Sequence, residues 1–486
     1  MKKKNVLILL AATAYCLLFY KQSPGINQLI FTTMLIPLLW LTDRSLSRSK
    51  AWIAVAAAAL LTSAGSLLYG TQLSQLGNIL SLGMLASLSF NRDSSLIFTL
   101  AHGVYSWGML PLALFKRKVQ DADDPEERSG FSLNKFLKIF LPLLVAFVFF
   151  QFYKAASPDF RKLMDYVFYH LLSFDFLWFT CCGLLVCYVL FNQHLIRKLF
   201  NQDQAASNQL TPGIRTDEIN IFSNLQSEHS AALLMFTILN VLLLLVNALD
   251  VKAYFAPPQH WDAEAHSQSV HLGINVLIFS IVIAILLTLY FFRGNLNFIA
   301  NHRVLKFLAI AWMAQNIVLV FGCAMKDLHY VQEFGLTYKR IGVFIYLLLT
   351  LIGLTTTLLK LMQVKSNWYL LRKNAWAFFL VLVISSLVHW DRIIVRYNLY
   401  HAKVAEPTYL MEFSNESLPY LLQTDLEKFP AEWHSGGFEL WYSSQLRCRK
   451  NCFLRNFEDR SWLSWNLADQ HTYDQLQLSS DTYRKY

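Results

Sequence analysis

Charge is scarce in this sequence. Asp, Glu, Lys and Arg make up 15% of its 486 residues, against about 25% in an ordinary soluble domain, and that deficit argues against a water-soluble globular chain. Catalytic signatures are missing too. GxSxG, HExxH, a P-loop and GxGxxG are all absent, which removes the hydrolase elbow, the zinc-protease helix and the nucleotide loops as starting points. Cysteine numbers seven, and no CxxC pair or Cys/His cluster has zinc spacing. Five of them (Cys16, Cys181, Cys182, Cys187, Cys323) fall in apolar segments and read as core packing. Cys448 and Cys452 stand four apart in a polar region, a candidate disulfide in an oxidising compartment and plain thiols in a reducing one. No catalytic residue, metal site or cofactor is assigned on these grounds.

What the chain has is apolar length. Hydrophobic residues make up 55%, with 37 Phe, 22 Tyr and 13 Trp. They gather into runs at 5–20, 25–42, 51–69, 74–90, 95–114, 136–153, 171–192, 229–250, 270–292, 304–325, 341–362 and 375–390. A helix of about 20 apolar residues crosses the roughly 30 Å hydrocarbon layer. Lipid offers nothing to an open strand's backbone, so these runs are expected to be helical. The expected fold is all-α: a polytopic bundle of 11–12 spans over 1–390, followed by a small, mainly helical extramembrane tail over 391–486. The net charge of +10 is spread between apolar runs, so the partner it points to is the lipid bilayer and not nucleic acid. Met1-Lys2-Lys3-Lys4 before an apolar run looks like a signal peptide. It lacks a small-x-small cleavage site, so it reads as an uncleaved first span.

Orientation sets two counts against each other. Lys2 to Lys4, Arg44, Arg48 and Lys50 put the N-terminus and the 43–50 loop in the cytoplasm by the positive-inside rule. If all twelve runs cross, the later basic loops (115–135, 193–228, 293–306, 363–373) fall on the other side. The weakest run is 74–90, with two Gly, four Ser and an Asn, and it reads as re-entrant, interfacial or fused with its neighbour. Dropping it gives eleven spans and an external tail; keeping it puts the tail in the cytoplasm.

Polar groups inside spans need a partner or a purpose. Asn240, Asn247 and Asp250 share one helical face. With Asn275, Gln315 and Asn316 they form a candidate intramembrane polar seam, lining a substrate path or bonding one helix to another. His102 and Asp175 are further polar positions. Arg293, Arg340, Asp391, Arg392 and Arg396 form a candidate cluster at the membrane surface, where the alternative role is anchoring to headgroups. The acidic run Asp121–Glu127 and the alternating His260, Asp262, Glu264 and His266 read as solvated loops before they read as metal ligands.

Several stretches carry a resemblance. They are LFYKQSPGINQLIF (18–31), FFRGNLNF (291–298), FGLTYKRIGV (334–343), HWDRIIVRYNL (389–399) with TYLMEFSNESLPYLL (408–422), and DRSWLSWNL (459–467). In that order the chain resembles the bacterial membrane-protein family catalogued as domain of unknown function 4173, sister to family 4153, with a Bacteroidetes-type flavour. LRCRKNC (446–452) departs from the leaner family pattern. The resemblance implies a polytopic inner-membrane protein and supplies no activity, substrate or catalytic residue. The expected roles are therefore an envelope or transport function, a lipid-linked glycosyl or phosphoryl transferase, or a scaffold that binds an envelope protein through its tail.

Overall fold

Serine and threonine start several of the helices. Ser49, Thr71, Thr337 and Ser366 each accept a backbone N–H from three residues on, satisfying a donor that the first turn leaves open. The computed structural model describes residues 3–109, 149–162, 174–211, 225–255, 278–298, 302–403, 405–429 and 436–483, apart from a few positions within and between these stretches. Helices in chain order are α1 (Lys3–Phe19), α2 (Ile26–Trp40), α3 (Lys50–Tyr69), α4 (Gln72–Phe90), α5 (Leu96–Gly108), α6 (Phe174–Phe191) and α7 (Arg197–Ala205). Then come α8 (Leu225–Phe255), α9 (Ile278–Phe291), α10 (His302–Phe334), α11 (Tyr338–Gln363) and α12 (Asn367–Ser386). The tail carries α13 (Trp390–Tyr400), α14 (Pro407–Met411), α15 (Leu418–Leu422), α16 (Gly436–Glu458) and α17 (Leu467–Tyr483). Seven of the described helices, α3, α4, α6, α8 and α10 to α12, are long and apolar enough to cross a membrane. The described residues form no strand, only one isolated bridge between Gln209 and Lys365.

Three apolar cores organise the chain. Helices α1 to α4 and α6 share one, which α12 joins through Phe379 and Val383. Helices α8 to α11 share a second around Phe236, Trp312 and Met313. The tail builds a third from Ile394, Leu410, Leu418, Tyr442 and Phe453, and Ile341 of α11 enters it. The tail is therefore packed onto the bundle's end.

Two opposite faces follow from the contacts between connections. On one, Ser23 N donates to Ser464 Oγ (2.9 Å), Ile26 N to Trp465 O (2.9 Å) and Leu336 N to Asn398 Oδ1 (2.6 Å), while the Tyr69 ring lies 5.0 Å from that of His389. This is the tail side. On the other, Arg92 donates to Ser45 Oγ, Ser95 N to Asp203 Oδ2, Ser366 Oγ to Ser207 O and Lys306 Nζ to Met362 O. Arg293 pairs with Glu228 there at 3.3 Å, and Arg372 with the buried Asp203 at 2.9 Å. Helix α1 runs from this face, so Lys3, Lys4, Arg44, Arg48, Lys50, Arg293, Arg303, Lys306, Lys365, Arg372 and Lys373 share it.

The segment 74–90, expected to be the one to drop, lies in the 19-residue α4, the most buried of the seven long helices. Its small and polar positions are the reason. Ser74, Gly77, Asn78 and Ser81 make one buried stripe that lets α3 and α12 approach closely, as small residues do between membrane helices. The conflict between the two counts lies elsewhere. Ser95 sits on the basic face, whereas α6 begins on the tail side, with Phe176 and Phe179 against Tyr20 and Tyr15. Between these points the chain changes face.

Candidate functional site

Four of the five stretches that carry the family resemblance converge on the tail side. Pro24-Gly25 turns the chain from α1 into α2 directly beneath residues 464–465, and a Cβ at Gly25 would lie 2.5 Å from Trp465 O. Backbone approach this close leaves room only for glycine. At the α10–α11 corner, Gly335 takes the left-handed conformation (φ 80°). There Asn398 closes a two-way clasp, accepting from Leu336 N and donating to Leu336 O at 2.9 Å. Arg340, 9% exposed, donates to Phe334 O at 2.9 Å and to Gly335 O, and lies over the Tyr330 ring. A cation there complements the carbonyl end of α10.

Asp391 ties three stretches together by accepting from Tyr338 Oη and from Ser414 N (3.0 Å). Arg449 of α16 then clamps the 411–415 turn, donating to Met411 O, Phe413 O and Asn415 Oδ1. This turn delivers Glu416 to His389, with Nε2 2.9 Å from Oε2 and both side chains nearly buried. Burial pushes the Glu416 carboxyl above its ordinary range, against the opposing pull of His389.

Beside this pair opens a cavity of about 190 Å³, lined by Leu68 and Tyr69 from α3, Arg392, Glu416, Tyr420 and the α17 residues Leu467, Ala468, His471, Thr472 and Gln475. Arg392 leans toward the Tyr420 ring, 5.9 Å from its centroid. Asn466 caps α17 by accepting from Asp469 N, and so fixes the helix that carries His471 and Gln475. Among the described residues no group of three or more His, Cys, Asp or Glu is arranged to hold a metal ion.

The surface cluster expected from the sequence is thus divided. Arg340, Asp391, Arg392 and the exposed Arg396 lie on the tail side, whereas Arg293 lies at the opposite end beside Glu228 and the Tyr290 ring. Its location on the far face follows from the α8–α10 geometry. The intramembrane seam is brought together for the most part. Gln315 donates to Asn240 Oδ1 (2.8 Å), Asn240 to Leu308 O, Asn247 to Gln315 O, and Lys326 to both oxygens of Asp250 (2.9 Å). Gln315 Oε1 has no partner among the described residues. Asn316 faces another way, donating to Trp312 O of its own helix. Asn275, His260 to His266 and Asp121 to Glu127 lie outside the described residues. Cys448 and Cys452 are both free and exposed, one turn apart on α16. Sequence reasoning missed His389, Glu416 and His471 as a group, although two of them sit within the quoted stretches. It also missed Asp327, two residues past the expected end of its span, which is buried with Oδ2 unpartnered.

Neither a curated protein nor a solved structure matches the chain. A family model described as Domain of unknown function (DUF4153) matches residues 6–424, extending from α1 past His389, Asp391 and Glu416. The chain belongs to this DUF4153 family.

Proposed function

We propose that this is a multi-pass protein of a bacterial inner membrane that works at its tail-side surface, binding a polar group presented on the envelope side. The observation that carries the reading is one largely apolar cavity into whose lining three donor side chains enter that the protein leaves unused. The side chains of Arg392, His471 and Gln475 make no hydrogen bond or ion pair to another described residue, although each residue lines the same space. The likeness to domain of unknown function 4173 supports the bacterial membrane, and the gathering of basic residues on the other face supports an external tail. A conduit along the α8–α10 seam has less support, because its side chains are largely spent on joining the helices. That is the ordinary use of amides between membrane helices.

A second reading, a lipid-linked glycosyl or phosphoryl transferase, draws on the His389–Glu416 pair, since a carboxyl with a raised pKa suits general-acid work. Arg293 has no part in it. A scaffold role draws on the tail's exposed Trp462, Leu440 and Leu478, the residue types that anchor partners. Reporter fusions test the common core of these readings. Fusions after residues 70 and 400 are expected to report the envelope side, and a fusion after 93 the cytoplasm. A cytoplasmic signal at 400 overturns the proposal.

A further inference from the structure

We infer that the tail-side cavity is a binding site for a phosphate ester, whose oxygens are held by Arg392, His471 and Gln475. This rests on the reading that the cavity is the working site and adds the ligand's chemistry. The first argument is the donor set. An arginine fork, an imidazole and an amide around one space suit the several oxygens of a phosphoryl group, and arginine recognises such groups through paired N–H donors. His471 and Gln475 are four apart on α17, so both project from one side of that helix.

The second argument is the local charge. Each carboxylate near the cavity is already engaged: Glu416 by His389, Asp391 by Tyr338 and Ser414, and Asp469 by Arg460 and Asn466. Arg392 has no carboxylate partner among the described residues, so its guanidinium remains available to an anionic ligand. The third is size and position. About 190 Å³ is below the roughly 300–1,000 Å³ of drug-sized pockets and suits a headgroup-sized ligand. Leu68 and Tyr69 end a span, so the cavity stands where lipid phosphates lie, and Leu68 and Leu467 give an apolar chain a wall to follow. The ester arrives either on a membrane lipid or as a water-soluble molecule, and both present the same group.

The test uses the purified full-length protein in a maltoside detergent, with binding followed by microscale calorimetry and native mass spectrometry. The probes are short-chain phosphatidic acid, glycerol 3-phosphate, the matching neutral diacylglycerol, and citrate. Saturable binding of phosphatidic acid alone assigns the site to a lipid headgroup; binding of both phosphate esters assigns it to soluble esters as well. Either result is weakened roughly tenfold or more by Arg392→Gln and by His471→Gln. Ala468→Phe, which fills the cavity, abolishes it, and Arg396→Gln, outside the lining, leaves it unchanged. Arg392 and His471 are both exposed, so their variants are expected to keep the wild-type melting temperature. Binding of neither ester, equal binding of citrate, or binding indifferent to the two substitutions and to Ala468→Phe overturns the inference. The measurement is made in detergent, so it does not depend on which side of the membrane the tail occupies. A failed topology map and a failed binding assay are therefore separate results.

Discussion

One glycine and one carboxyl carry the residue-scale predictions. Gly335→Ala forces a side chain into the left-handed region and toward Asn398 Oδ1, which a Cβ would approach at 2.6 Å. The strain alone costs about 1–2 kcal/mol, and the broken clasp adds to it, so the melting temperature is expected to fall. Glu416 gives a pH dependence. Its carboxyl is raised from the ordinary 4.5, so the folded state holds its proton more tightly than the unfolded chain does. Below about 4.5 the group costs nothing. Stability is then lost as pH climbs through the raised value, and the loss is complete above it. Glu416→Gln is expected to flatten that part of a melting-temperature profile against pH. An unchanged slope would assign the pH dependence to other groups.

At the scale of the element, the two polar seams in the bundle predict different outcomes. In α4, Asn78 accepts from Gln28 Nε2 at 3.0 Å and donates to Ala59 O at 2.9 Å, while Ser66 donates to Gln28 Oε1 at 2.6 Å. All these side chains are buried. Asn78→Leu removes the hub and leaves the buried Gln28 Nε2 without its acceptor, at a cost of about 1–3 kcal/mol. Asn240→Leu on α8 loses two interhelical bonds at a half-buried position, each worth about 0.6–1 kcal/mol. Chemical denaturation in mixed micelles is expected to rank the first above the second, because Asn78 is fully buried and Asn240 only partly. The reverse order would give the α8–α10 seam a greater structural weight than its geometry does.

Over the whole molecule, the tail closes on the chain's first connection. Ser23 and Ser464 are 441 positions apart and share a hydrogen bond of 2.9 Å, and Ser464 Oγ also donates to Gln22 Oε1. In a background with the seven native cysteines replaced, Ser23→Cys paired with Ser464→Cys is expected to cross-link under mild oxidant. The product would show as a mobility shift on a non-reducing gel. Ser45→Cys with Ser464→Cys, on opposite faces, is expected not to cross-link. A bridge in the second pair would contradict the two-faced arrangement on which the site depends.

The helices were written in the sequence because span-length apolar runs have no other way to satisfy their backbone in lipid. The segment 74–90 shows the limit of that logic. Serine, glycine and asparagine weaken a helix's claim on lipid, yet the same residues strengthen its packing against another helix, and composition does not distinguish the two environments. The site was legible in pieces: the stretches around His389 and Glu416 stood out, but nothing in their spacing placed them together or added His471. The sequence by itself determined an all-helical chain with its basic residues gathered in the connections. Only tertiary structure decided that Arg293 faces away from Arg392, and that Arg392, Glu416 and His471 line one cavity. Side-chain convergence between distant segments depends on which helix ends share a face, and that is a property of the packed bundle.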